Sequence, residues 1–402
     1  MKTFISKYLK GDRVLWMVCL FLGLWSILAV YSSISYLAYS SRSGNTFYFL
    51  FKHAIILSGG FFLMYLIHRV NYRYFSRLSQ ILIWVAALLL LITLMVGSEK
   101  NAAVRWLEIP IINQSFQTSD FAKIALVVYV SRLLVVKRDK LHSFKEGVLP
   151  ILLPVALITV LILPANFSTA AMLFFVCFIL MFIGGVKIKH LFLLVFSAVA
   201  GFALLLAVSA WIGETEDGGT LLPRMETWLS RSMQFFDGDG EAGYQAERAM
   251  MAIHSGGVFP SGPGTGDSRN YLPSSHSDMI YAFIIEEYGL IMGGVGVALL
   301  YLIFLYRSLR VGRMCKRDFG ALMSIGLGLL IVIQAFINMG VSVGILPVTG
   351  QPLPLVSLGG TSIWLTCIAI GIILSVSRDE LEGDRATTGN RLKTKKKHYA
   401  SA

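Results

Sequence analysis

Charge is what this sequence has least of. Only 14% of its 402 residues are Asp, Glu, Lys or Arg, where a water-soluble domain carries roughly 25%. Hydrophobic residues make up 55%, and they fall in repeated runs of about 20, the length an α-helix needs to cross a bilayer. A soluble chain would have to hide all these runs in one core, which surface-to-volume scaling does not allow. Cysteine is scarce too. Cys19, Cys177 and Cys367 lie in apolar runs and Cys315 in a basic stretch, with no shared spacing, so neither a disulfide framework nor a zinc site is indicated. No repeat at a fixed period is present, and the two halves differ in loop sizes, which weakens an inverted-repeat transporter.

The positive charge that is present, a net +12, could suggest nucleic acid, but its placement excludes that reading. Apolar spans are expected near 14–38, 47–67, 78–97, 119–136, 147–163, 167–185, 190–212, 277–306, 320–345 and 360–377. Every second connection is basic: Arg69, Arg73 and Arg77; Arg132, Lys137, Arg138, Lys140 and Lys145; Lys187 and Lys189; Arg307, Arg310, Arg313, Lys316 and Arg317; then Lys393, Lys395, Lys396 and Lys397. The opposite connections are nearly bare, with Arg42 alone in the first. By the positive-inside rule the expected fold is an all-α polytopic membrane protein of about ten transmembrane helices, both termini cytoplasmic. Lys2, Lys7, Lys10 and Arg13 precede the first span without a small-residue cleavage site, which reads as an uncleaved anchor. Residues 1–377 form one transmembrane domain, and 378–402 read as a disordered basic tail that meets anionic headgroups.

One connection is far longer than a linker needs to be. Residues 213–276, between spans seven and eight, form a large extracytoplasmic loop. From Glu214 to Asp278 there are ten acids and four arginines. Pro223 can open a helix in which Met225, Trp228, Leu229, Ser232 and Phe236 recur at helical spacing; such a stripe suits a helix on the membrane surface or a cover over the bundle.

Ionisable groups in or beside a span are costly and therefore candidates for function. Asp278 enters an apolar helix at its outer end, where it is either an N-cap or a catalytic carboxylate. Glu286 and Glu287 lie about 12–14 Å deeper and read as structural partners for another segment. The glycine-rich run Ser255–Gly266 has no preceding strand and no Gly-Lys-Ser/Thr, so it reads as an irregular surface loop rather than a phosphate loop. Lys123 either snorkels or pairs with Asp120 three residues earlier. Gln334 and Asn338, four apart, share a helix face and suit interhelical hydrogen bonding. The uncharged, Pro- and Gly-rich stretch 346–360 can dip into the membrane against protein.

Taken together, Ala252-Ile253-His254-Ser255-Gly256-Gly257, Gly264-Thr265-Gly266-Asp267-Ser268, Leu272-Pro273-Ser274-Ser275-His276-Ser277-Asp278, Glu286-Glu287-Tyr288-Gly289 and Leu353-Pro354-Leu355-Val356-Ser357-Leu358-Gly359-Gly360-Thr361-Ser362 resemble the FtsW/RodA/SpoVE (SEDS) family. So do Arg105-Trp106 and Gln117-Thr118-Ser119-Asp120-Phe121-Ala122-Lys123, and the match runs through all ten spans in order. Besides mild departures at Ser274, Ser277, Met279 and Tyr281, three features depart from the family pattern. Asn166 stands where a carboxylate is usual, Ser115 where some members carry a base, and the segment between Ser268 and Leu272 is short.

The resemblance implies a peptidoglycan glycosyltransferase of the bacterial cytoplasmic (inner) membrane that polymerises lipid II. Pro347-Val348-Thr349-Gly350 leans toward septal cell division rather than elongation. It implies Asp278 as general base, and Lys123, Arg105, Gln117, Arg248, His276, Ser357, Gly359 and Gly360 as substrate-binding residues, with Glu286, Glu287 and Asn338 supporting. A divalent cation, magnesium or manganese, is a further candidate for holding the pyrophosphate. The expected partners are a class B penicillin-binding transpeptidase and other division or elongation proteins. A flippase for the lipid-linked precursor and a non-catalytic scaffold are the competing expectations.

Overall fold

The structure is a computed structural model; it describes residues 9–33, 46–96, 98–100, 103–109, 114–213, 233, 240–266 and 278–400. These form twelve α-helices and three short strands: α1 (Arg13–Ser33), α2 (Thr46–Arg69), α3 (Arg73–Val96), β1 (Ser98–Lys100), β2 (Ala103–Ile109), β3 (Gln114–Gln117), α4 (Thr118–Val136), α5 (Leu149–Ile162), α6 (Phe167–Ile183), α7 (Ile188–Gly213), α8 (Gly240–Gly256), α9 (Ile280–Tyr288), α10 (Gly296–Met314), α11 (Asp318–Ser342) and α12 (Gly360–Ala400). Seven helical stretches are long and apolar enough to cross a membrane: 13–33, 47–69, 73–95, 144–162, 280–314, 318–342 and 360–381. Helix α6 and the first part of α7 are apolar but shorter. The 19-residue α4 carries Asp120, Lys123 and Arg132.

Each span expected from the sequence contains a helix, with three differences from the expected pattern. The span at 277–306 is not one helix: α9 stops at Gly289, whose φ of 72° ends it, and a π-helical turn over Gly289–Val295 leads into α10. A Cβ on Gly289 would stand 2.6 Å from the Phe259 carbonyl carbon, so the glycine-rich loop lies directly on this break. Between α3 and α4 the chain makes a three-stranded antiparallel sheet in the order β1-β2-β3, with Trp106 opposite Gln117. The long loop holds a 17-residue helix, α8, which buries Ala246, Ala249 and Ala252. The last helix, α12, runs from Gly360 to Ala400. The helix expected from Pro223 lies outside the described residues, Met233 apart.

Helices that meet in lipid rely on close packing of small residues, and this bundle does. Gly60 of α2 fits against Cys367 and Ile363 of α12, and Gly371 of α12 against Met64 and Ile67. Gly328 of α11 faces Ser308 of α10, while Gly326 faces Val127 and Leu180. Polar contacts fix the ends. Arg378 donates to the His68 and Val70 carbonyls at the end of α2, satisfying acceptors that a helix end leaves open. Asp12 caps α1 through the Val14 and Leu15 amides and pairs with Arg307 of α10.

Candidate functional site

The loop joining α11 to α12 organises the other end of the bundle. It is buried from Gln351 to Ser357 apart from half-buried Pro352, as expected of irregular backbone set against protein at membrane depth. Several of its carbonyls have fixed partners. Tyr301 of α10 donates to Pro354 O. Ser26 of α1 donates to Val356 O at 2.9 Å and itself lies 2.8 Å from His53 Nε2. The Ser357 hydroxyl accepts from Leu353 N at 2.8 Å, closing the turn in which Leu355 takes a φ of 65°.

Lys123 meets this loop from the side. It is 5% exposed, with Nζ 2.7 Å from Asp120 Oδ1 and 2.8 Å from Gln334 Oε1. The snorkelling alternative is therefore excluded: the ammonium is paired inside the protein. Gln334 passes the connection on, donating to Pro352 O at 3.0 Å. One residue earlier in the loop, Gln351 O accepts from Asn338 Nδ2 at 2.8 Å, and the same nitrogen donates to Asp278 O at 2.9 Å. Both hydrogens of that amide are thus used. Asp278 and Lys123 are tied to adjacent loop residues by two amides one helical turn apart on α11.

Asp278 is half-buried, in the turn just before α9. The N-cap position of that helix is Met279, which has no side-chain cap bond. Glu286 and Glu287 are buried and support the glycine-rich loop. Glu287 Oε1 accepts from Gly264 N at 2.8 Å, its carbonyl accepts from Ser261 and Gly262, and Ser255 Oγ lies 3.4 Å from Glu286 Oε1.

The remaining candidates are distributed around this core. Gln117 is buried at the start of α4, donating to Ser119 Oγ at 3.2 Å, while its own amide donates to Thr361 Oγ1 at 3.4 Å. Arg105 lies in β2, its side chain outside the described residues, as are those of Ser115 and the whole of His276. Arg248 is on α8 with its guanidinium 4.9 Å from the Tyr244 ring centre. The Gly359 carbonyl accepts from Ile363 N, and Gly360 opens α12. Asn166 caps α6 by accepting from Thr169 N at 3.2 Å, a task an amide performs as well as a carboxylate. Among the described residues no group of three or more His, Cys, Asp or Glu is arranged to hold a metal ion.

Membrane-length helices enclosing a polar site, from half-exposed Asp278 to buried Lys123, define a multi-pass membrane protein with a site at one end of its helix bundle. The comparisons take this further. Residues 12–382 match the model of the FtsW/RodA/SpoVE cell cycle proteins, and the chain belongs to that family. It is 33% identical over 347 residues to the probable peptidoglycan glycosyltransferase FtsW of Nitrosococcus halophilus, covering 84% of each chain. With the probable FtsW of Burkholderia thailandensis it shares 33% over 384 residues, 92% of this chain and 79% of that one. Among solved structures, it superposes with a TM-score of 0.70 at 23% identity on a chain of a peptidoglycan synthase complex, covering 92% and 98% of the two chains. The Thermus thermophilus rod shape determining protein RodA gives 0.66 at 23%, over 93% and 99%. At that identity the superpositions speak for the fold.

Proposed function

We propose that this protein is a peptidoglycan glycosyltransferase of the bacterial inner membrane that polymerises lipid II on the outer face, in septal cell division. Its relatives carry that activity in their names. The observation that carries the reading for this chain is that the Asp278 main chain and the Lys123 ammonium are tied, through Asn338 and Gln334, to residues 351 and 352. It supports a carboxylate and a cation acting on one substrate.

The roles follow from that arrangement. The attacking sugar hydroxyl gives its proton to Asp278 as the new glycosidic bond forms. The anomeric bond to pyrophosphate breaks, with inversion at that carbon. Lys123 has three N–H donors and two described partners, which leaves one for a phosphate oxygen; Arg105 is the second cation. A divalent cation would be carried in largely by the substrate's own phosphates. The topology proposed with this chemistry has ten spans, both termini cytoplasmic, and residues 213–276 outside, so that the site opens outward. Relatedness to a chain solved in a synthase complex supports a class B penicillin-binding transpeptidase as partner.

The test uses purified full-length protein and fluorescent lipid II, with and without such a transpeptidase, resolved on a gel. A ladder of glycan chains is expected. Lipid II movement between leaflets of a vesicle with no polymer in either reaction would replace this reading with the flippase.

A further inference from the structure

Beside Asp278 and Lys123 lies a buried group to which the chemistry above gives no task. Gln351 is 3% exposed, yet neither Oε1 nor Nε2 of its side chain has a hydrogen-bond partner among the described residues. A carboxamide carries two donors and two lone pairs, and burying it unpaired is among the costlier things a fold can do. A leucine there would avoid the cost altogether. The side chain therefore has unused capacity at a defined place: its own carbonyl and that of Asp278 bind one Asn338 nitrogen. Asn338 adds to it, for its Oδ1 is also buried and without a partner among the described residues.

The chemistry of these atoms selects what would fill them. Charge is already handled by Lys123, held against Asp120. A neutral amide instead matches a group that both donates and accepts, without charge. Resting on the proposed glycosyl transfer, we infer that the Gln351 carboxamide, with Asn338 Oδ1, hydrogen-bonds a sugar hydroxyl or acetamido group of the substrate and positions it for Asp278. Gln351 is thus a substrate-positioning residue of this site, satisfied by substrate and by water in its absence.

The test is Gln351→Leu in the full-length protein, assayed with fluorescent lipid II together with its thermal unfolding midpoint. Removal of an unpaired buried amide leaves the midpoint unchanged or raised. The KM for lipid II rises on the order of tenfold, the loss expected for hydrogen bonds to a neutral partner, with a smaller change in kcat. Kinetic constants within twofold of the parent overturn the inference, as does a lowered midpoint with unchanged KM, which would mark a packing role. Gln351→Met, of similar length and without donors, repeats the test should the leucine variant not fold. A parent protein that makes no polymer refutes the glycosyltransferase reading itself, and the two failures stay separate.

Discussion

Removing the Lys123 ammonium should do two things at once, and the structure says how to separate them. In Lys123→Met, Asp120 loses the partner 2.7 Å from Oδ1; its Oδ2 is already buried without a partner among the described residues. Breaking one side of a buried ion pair costs about 3–5 kcal/mol, a large share of a typical 5–15 kcal/mol stability. Gln334 Oε1 loses its donor as well. The single variant is therefore expected to unfold at clearly lower temperature, and its inactivity alone would prove nothing. Lys123→Met with Asp120→Asn removes the stranded charge and should recover most of that stability. If Lys123 holds the leaving pyrophosphate, the double variant stays folded and still makes little glycan. Thermal unfolding in detergent and lipid II polymerisation on gels read the two effects apart. A double variant that is both stable and within threefold of the parent in rate would refute the role given to Lys123, and Arg248 would become the next candidate.

Other expectations are simpler. Gly289→Ala places a Cβ 2.6 Å from the Phe259 carbonyl carbon at a φ of 72°, so a stability loss of about 1–3 kcal/mol is expected; an unchanged unfolding midpoint would contradict the described contact. Burial first, with the Glu380 carboxylate beside it, pushes the Cys315 thiol up to about 11. A raised thiol pKa means less thiolate at neutral pH, so maleimide labelling at pH 8 should run roughly a hundredfold slower than at an ordinary thiol. It should climb about tenfold per pH unit until near 11, and a rate flat above pH 9 would contradict the assignment. A reporter active only outside the cytoplasm should be active when fused after Gly240 and silent after Cys315 or Asn390; activity after Cys315 would overturn the ten-span topology.

The helices were legible because apolar runs of membrane length are hard to mistake. The Asp120–Lys123 pair could be read from its i,i+3 spacing, and Gln334 with Asn338 from theirs. What they grip could not: the loop lies at 351–352, and only the folded chain brings Pro352 to Gln334 and Gln351 to Asn338. Helix α8 escaped notice because its buried stripe is alanine, which gives almost no periodic signal. The three strands are short and interrupted, so nothing in 98–117 alternates long enough to read as a sheet. Gln351 was not singled out, because the stretch 346–360 could be read as set against protein while nothing in it marked this one amide as buried. The break at Gly289 has a backbone cause, in the close approach of Phe259, that no spacing in the sequence announces.

The account turns on Asp278 acting as a base, and one substitution addresses that directly. Asn keeps the side chain's shape and cannot take up the proton. Asn serves a helix start about as well as Asp, so the exchange tests proton transfer rather than helix capping. Purified Asp278→Asn protein, shown to unfold at the parent's temperature and to bind the transpeptidase, is assayed with fluorescent lipid II. The expected result is a fall in polymerisation rate of about 10²–10⁴-fold, the loss typical for removal of a positioned base. Glycan chains formed within threefold of the parent rate would contradict it, and the base would have to be sought elsewhere.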